Sequence, residues 1–599
     1  MSFAVYTLAM RDFIGFSTAC LTGRRPLAGL GVVLLLACSP AVRQAREDKP
    51  PEESTGRHSQ TAVFAQRHMV VAANPLAAAA GVQVLRRGGS AVDAAIAVQA
   101  VLGLVEPQSS GIGGGALLLY YQADTRQVHA FDGRETAPAK TPPDVFVKPD
   151  GAARDFYDAA LGGTAVGVPG ALRMLELVHK KYGKRPWAEL FEPAIQHADQ
   201  GFPVSPRLHM LLKKDRYLRA NPAAASYFYK PDGTPVAIGE RLVNRPFAAA
   251  LRKIAGAGAG ALYRGELAQD IVTAVQQAAH NPGTLSLDDL ARYEAKERPP
   301  VCLVYRSQRV CSFGPPSSGG VTLLQELGML EHFSLATPDG SSLHLMMEAS
   351  RLAFADRNRY LADADFVSVP VAGLLSPAYL QQRASLIQPG RSLGAVQPGE
   401  PPAAPLAQAD GASPERPATS HMVLVDDDGN VVSMTTTIED AFGSRILVDG
   451  FLLNNQMTDF SFVPVVQGKQ VANRVEPGKR PRSSMTPVIV LDPQGRFSLA
   501  VGSAGGPWII GYVLRSLVAV IDWHLDIQSA LNLPHVVNRN GDTELEADPQ
   551  LQEVRAFLQE RGHVLRTAPL TSGLHGLMRQ GTGYQGGADP RREGTALGD

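Results

Sequence analysis

Two threonines placed to share one proton are the first sign of chemistry in this sequence. His421 to Val425 and Val431 to Thr437 are β-prone runs separated by Asp426-Asp-Asp-Gly-Asn430, a strong hairpin signal. A turn centred near Asp428 makes paired residue numbers sum to roughly 855 to 857, so Thr419 lies across from a residue between 436 and 438, beside Thr437. A second hydroxyl there can hold the first by a hydrogen bond. A threonine at a chain N-terminus carries nucleophile and base together. Its α-amine has an ordinary pKa of about 7.7 to 8.0, is partly neutral near pH 7, and takes the hydroxyl proton through a water. An internal threonine has no such base, so this chemistry requires cleavage of the Ala418–Thr419 bond.

The surrounding elements suit such a cut. Residues 394–418 are rich in Pro, Ala, Gly and Gln with almost no large apolar side chain, and read as a flexible linker or the loose end of a cut chain. From Thr419 onward the texture turns to strand, turn, strand, with enough residues for a domain. Upstream, Asn74 to Val105 has helical spacing broken at Arg87-Gly-Gly-Ser90. Two helices meet there, the first ended by glycine and the second opened by a Ser90/Asp93 capping pattern. Gly111-Ile-Gly-Gly-Gly115 then opens a strand over Ala116 to Tyr121. A dinucleotide loop instead follows a strand and opens a helix, so nucleotide binding is not indicated. From about 165 to 390 the periodicity is mostly helical, as in Pro169 to Lys181 and Leu343 to Leu361. Cys302 and Cys311 flank a short turn between two strands, where either a cross-strand disulfide or two unpaired core cysteines fits.

Composition narrows the partner. With 599 residues, 45% apolar and 19% charged, the chain is globular. Lys plus Arg and Asp plus Glu number 57 each, so no overall field draws it to nucleic acid or an anionic membrane surface. A small-molecule substrate is expected. Only four cysteines occur, and no Cys or His cluster has metal-ligand spacing, so no metal is expected. Arg24-Arg25, the apolar run Leu27 to Ala37 and Cys38 have the layout of an export signal. Leu35-Leu-Ala-Cys38 resembles a bacterial lipoprotein signal, which implies cleavage before Cys38 and a lipid on its sulfur. The eleven apolar residues are too few for a helix of about 20 residues that spans a bilayer. The expected organisation is an export signal over 1–37, a disordered tether over 38–67, a large subunit over 68–418 and a small catalytic subunit over 419–599. The product is exported, periplasmic, and tied to a membrane only through lipid.

Five motifs carry a family resemblance over nearly all of the mature chain. They are Phe131-Asp-Gly-Arg134-Glu-Thr-Ala-Pro138, Thr419-Ser-His421, Leu453-Asn-Asn-Gln-Met-Thr-Asp-Phe460, Arg480-Pro-Arg-Ser-Ser-Met-Thr-Pro487 and Gly502-Ser-Ala-Gly-Gly506. Together they resemble the γ-glutamyltransferases, members of the N-terminal-nucleophile hydrolases. The resemblance implies an α/β (α+β) fold, a four-layer αββα sandwich. It also implies self-cleavage into large and small subunits that form a heterodimer, and attack on γ-glutamyl amides such as glutathione, with water, an amino acid or a peptide as acceptor. No cofactor is implied. Carried over by residue, Thr419 resembles the nucleophile and Thr437 the hydroxyl that positions it. Gly505 and Gly506 resemble the oxyanion-hole pair, a role their place between a strand and the helical run from Trp508 supports. Arg134 matches the grip on the substrate α-carboxylate, with Ser483 and Ser484 as hydroxyl donors, while Gln456 and Asp459 match ligands of the α-ammonium.

Two places depart from the family pattern. Glu439 stands where an asparagine is usual, and is expected to add a second negative charge beside Asp459, tightening the hold on an ammonium while repelling the carboxylate. The segment between Asp459 and Ser483, a lid in some members, is shorter and lacks a tyrosine, which leaves acceptor preference open. One rival reading is a glutaryl or cephalosporin acylase, whose substrate has no α-amine; Asp459 with Gln456 argues against it. A poly-γ-glutamate-processing relative is another. A non-catalytic surface-binding lipoprotein would be expected to lose the nucleophile or the oxyanion glycines, and both are kept.

Overall fold

In the computed structural model, residues 54–405, 408–416 and 418–599 are described, and they belong to one compact unit. The export segment and Cys38 lie outside the described residues. Fourteen strands build two sheets: β1 (Val63–Ala65), β2 (Met69–Ala72), β3 (Gly115–Gln122), β4 (Gln127–Gly133), β5 (Lys296–Arg298), β6 (Val301–Tyr305), β7 (Gln308–Ser312), β8 (Ala418–Val425), β9 (Val431–Glu439), β10 (Val488–Leu491), β11 (Phe497–Gly502), β12 (His575–Gln580), β13 (Gly583–Ala588) and β14 (Thr595–Gly598). One sheet runs β14-β2-β8-β9-β3-β4-β5 and the other β1-β13-β12-β11-β10-β7-β6. Every neighbouring pair in both is antiparallel.

Side-chain alternation explains the layering. Met422 and Leu424 of β8 join a core with the helices α1 (Pro75–Arg86), α2 (Ala91–Val105) and α3 (Ala171–Tyr182). Their neighbours Val423 and Val425 point the other way, into a core shared with Ile489, Leu491, Ala500 and Leu577 of the second sheet. On the outer face of that sheet Val488, Val490, Leu499 and Val501 pack under α4 (Gly319–Leu330), α5 (Gly340–Tyr360) and α6 (Ile509–Ile521). The result is the expected helix–sheet–sheet–helix sandwich. Covered on both faces, β8 and β9 are buried along their whole length.

Local signals translate directly. Ser90 and Asp93 form the capping box that starts α2, and Asn74 caps α1. Cys302 and Cys311 face each other across β6 and β7 and are bonded, which decides between the two readings of that pair.

Two stretches are more closely held than their composition suggests. Within the expected tether 38–67, β1 pairs with β13 and Ala65 reaches the inter-sheet core. Within the expected linker 394–418, Gln408–Ala409 pairs with Lys469–Val471, and Glu415 and Arg416 are buried. With few large apolar side chains, that linker has no core of its own and is held by ladder bonds, charge and a few contacts such as Val396 with the neighbouring core. Among the described residues no helix is long and apolar enough to cross a membrane.

Candidate active site

The β8–β9 hairpin sets Thr419 opposite Thr437 and His421 opposite Thr435, the register that the turn position implies. At the bond before Thr419 the pairing slips: Ala418 faces Glu439, leaving Ile438 as the extra residue of a bulge. Glu439 takes φ 80°, a left-handed conformation uncommon for a residue with a side chain. The bulge brings the Ala418 carbonyl onto Thr437. Thr437 Oγ1 donates to Ala418 O at 2.7 Å and accepts from Thr419 Oγ1 at 3.2 Å and from the Glu439 N–H at 2.9 Å. Arg592 Nη1 donates to Thr419 O at 3.1 Å, fixing that residue from the other side. One hydroxyl thus touches both the candidate nucleophile and the carbonyl that an N-to-O acyl shift would attack.

A cavity opens beside this pair. Thr419, Thr437, Arg134, Glu439, Gln456, Asp459, Ser483, Ser484 and Gly506 all line it. Gly505 does not, but sits next to Gly506 in the turn between β11 and α6. Its φ of 134° and the 2.8 Å left between an added Cβ and Tyr512 Cε2 admit only glycine.

The electrostatics are tightly cross-linked. Arg134, just past β4, is fully buried and donates from Nη2 to Asp459, from Nη2 to Arg482 O at 3.3 Å and from Nε to Pro481 O at 3.2 Å. Asp459 also accepts from Gln456 Nε2 at 2.8 Å. Gln456 Oε1 is buried and has no partner among the described residues, so an acceptor is left facing this corner. Burial pushes the Asp459 carboxyl up to about 6, with Arg134 opposing the shift. Burial likewise lifts Glu135, behind Arg134, to about 8.

Glu439 is held by two donors beside Asp459. Its carboxyl accepts from the Arg416 N–H at 2.9 Å and from Asn455 Nδ2. Burial first, then Asp459 and Asp440, push it well above the usual carboxylate range. It is a hydrogen-bonding group in this corner, and its place beside the buried carboxyl of Asp459 disfavours its charged form.

Ser484 donates to Glu415, while Ser483 Oγ accepts from the Met485 N–H at 3.0 Å. Glu415, Arg357, Arg482, Asn455 and Arg592 were not singled out by sequence. Arg482 and Asn455 lie inside motifs that were, and could have been read from them. Glu415 and Arg357 carry no local signal, since they meet from 58 residues apart. The fold also gathers His344, Glu348 and His563, despite the lack of metal-ligand spacing in the sequence, with ligand atoms within 4.8 Å of one another. These groups are turned on each other and their neighbours. His344 Nδ1 and His563 Nε2 are 2.7 Å apart in a hydrogen bond, and Arg351 donates to Glu348 at 2.9 Å.

Two stacked antiparallel sheets between helical layers, with a paired threonine on a bulged inner strand, are the architecture of the N-terminal-nucleophile hydrolases. Comparison with known proteins agrees. The γ-glutamyltranspeptidase family model matches residues 77–599. The glutathione hydrolase proenzyme of Bacillus subtilis is 35% identical over 586 residues, covering 96% of this chain and 98% of its own. Among solved structures, the cephalosporin acylase of Bacillus halodurans superposes with TM-score 0.79 at 27% identity, covering 92% of this chain and 98% of its own. The Helicobacter pylori γ-glutamyltranspeptidase gives TM-score 0.53 at 33% identity, over 57% of this chain and 97% of its own. The chain belongs to the γ-glutamyltranspeptidase family.

Proposed function

We propose that the chain cuts itself before Thr419 and that the matured enzyme moves the γ-glutamyl group of glutathione and related amides to water, an amino acid or a peptide. The observation that carries this reading is Thr437, bonded at once to the Thr419 hydroxyl and the Ala418 carbonyl, in a cavity that also holds Arg134 and Asp459. In the first step Thr419 Oγ attacks the Ala418 carbonyl, with Thr437 donating to the oxygen that becomes negative. The C–O bond forms and the C–N bond breaks, which frees the Thr419 α-amine to serve as the base; water then hydrolyses the resulting ester, releasing the Ala418 carboxylate and the Thr419 hydroxyl.

In turnover Thr419 Oγ attacks the γ-glutamyl carbonyl. The C–O bond forms, the C–N bond breaks, and the leaving amine takes a proton from the Thr419 ammonium. The N–H groups of Gly505 and Gly506 receive the oxyanion. Arg134 and Asp459, which neutralise each other in the structure, exchange that contact for the substrate's carboxylate and ammonium respectively, with Gln456 Oε1 as a further acceptor for the ammonium. Glu439 contributes hydrogen bonding there, and Ser483 and Ser484 assist at the carboxylate. The proposal extends to export by residues 1–37, lipidation at Cys38, and a heterodimer of 68–418 with 419–599.

The structural likeness to a cephalosporin acylase favours a second reading, release of a glutaryl group without an α-amine. Intact mass and activity on γ-glutamyl- and glutaryl-p-nitroanilide separate the two. A fragment beginning at Thr419 with γ-glutamyl preference supports the first reading, glutaryl preference moves the enzyme to the acylases, and an uncut inactive chain overturns both.

A further inference from the structure

Two buried arginines have no part in the scheme above. Arg357, near the end of α5, and Arg482, in the loop before β10, are 3% and 1% exposed. They are neighbours, with Arg482 Nη1 donating to Arg357 O at 3.3 Å. Burial, and then the charge of Arg357, pull the Arg482 guanidinium down to about 9.

The pair shares one counter-charge. Glu415 Oε1 lies 2.6 Å from Arg357 Nη2 and 3.5 Å from Arg482 Nη2, while its other oxygen accepts from Ser484 Oγ. Arg357 also donates to Ser484 Oγ at 2.6 Å, so arginine, serine and carboxylate form a closed set. Burial opposes ionisation of Glu415, yet Arg357 and Arg482 hold its carboxyl below the usual range.

Glu415 is close upstream of Thr419, on the side that self-cleavage detaches, and it lines the same cavity as Thr419. Before cleavage three guanidinium groups, Arg134, Arg357 and Arg482, face two ionised carboxylates, Glu415 and Asp459. When Glu415 withdraws, Arg357 and Arg482 lose the carboxylate they share. A buried charge stripped of its partner is strongly unfavourable, so the matured cavity calls for an anion where Glu415 had been.

We propose that Arg357, backed by Arg482, is a ligand of the substrate carboxylate in the matured enzyme, in a seat that Glu415 fills in the precursor. Ser484 ties the seat to the site already described, because it serves the internal carboxylate now and the substrate carboxylate later. The ligand class is an acyl donor bearing a free carboxylate, γ-glutamyl or glutaryl alike. The inference rests on the acyl-transfer reading of Thr419 but not on which acyl group is preferred.

The test uses Arg357→Met and Arg357→Lys in the full chain, with maturation checked by mass, and three anilides: γ-glutamyl, glutaryl and butyryl, the last having no carboxylate. Relative to butyryl, kcat/KM for both carboxylated anilides should fall about 10- to 100-fold in Arg357→Met, mostly through KM, with partial recovery in Arg357→Lys. An equal loss on all three anilides, or none on the carboxylated pair, overturns the proposal. If the variants fail to mature, the matured wild-type enzyme is titrated with the hexapeptide Ser-Pro-Glu-Arg-Pro-Ala and with the same peptide carrying Gln for Glu. Competitive inhibition that weakens about tenfold or more with Gln supports the seat, and equal or absent inhibition overturns it. If glutaryl proves the better substrate, the γ-glutamyl reading falls while the arginine test stands on the glutaryl data.

Discussion

Replacing Thr437 by valine keeps the shape and β-branching of a buried strand position while removing the one hydroxyl that joins Thr419 to the scissile carbonyl. Three bonds go with it. Ala418 O loses its donor at 2.7 Å, Thr419 Oγ1 loses its acceptor at 3.2 Å, and the Glu439 N–H loses its partner at 2.9 Å. The first is a donor aimed at an oxygen that gains charge in the transition state of self-cleavage. Loss of such a donor costs about 2.7–4 kcal/mol, or roughly 10²- to 10³-fold in rate. The third leaves a buried amide unsatisfied and lowers stability by about 1–3 kcal/mol. Purified precursor should therefore persist, and the appearance of the Thr419 fragment, followed by intact mass against time, should slow about 10²-fold. Thr437→Ser, which keeps the hydroxyl, should recover most of the rate, separating chemistry from packing. Maturation of Thr437→Val at the wild-type rate would refute the assignment.

Asp459→Asn should reduce kcat/KM for γ-glutamyl-p-nitroanilide about 10- to 100-fold, the worth of one charge-assisted contact, and affect the glutaryl anilide far less. Because the Asp459 carboxyl sits at about 6 and must be ionised to hold an ammonium, γ-glutamyl kcat/KM should decline as pH falls through that value, a limb that Asp459→Asn should lack. Gly502→Ala would place a Cβ 2.3 Å from His421 Cε1 between the sheets, and thermal denaturation should show a loss of about 1–3 kcal/mol.

How much of this was legible beforehand follows from sequence distance. The Thr419–Thr437 pair was readable because a hairpin turn fixes register, so a five-residue acidic loop placed two hydroxyls without knowledge of the rest of the fold. The capped start of α2 was readable for the same reason. The bulge at Ala418 was not, and Glu439 at its far side is held by Asn455 from a different segment. The surroundings of Glu439 were not legible, because residue type does not show burial, and its place beside Asp459 and Asp440 is a property of the assembled site. Glu415 was hidden most deeply. It lies in a stretch without a hydrophobic pattern, and its meaning comes from arginines 58 and 67 positions later or earlier in the chain.

The first sheet interleaves the two halves of the chain: β2, β3, β4 and β5 come from before Thr419, and β14, β8 and β9 from after it. Cutting the bond before Thr419 severs only the first residue of β8 from its strand, so the products are threaded through one another rather than docked. They should come apart only by unfolding. Dilution without denaturant should leave the cut protein associated, and a denaturant titration should show separation and unfolding as one transition whose midpoint falls on dilution, as for an obligate dimer. The two pieces produced separately would have to fold around each other to regain the site.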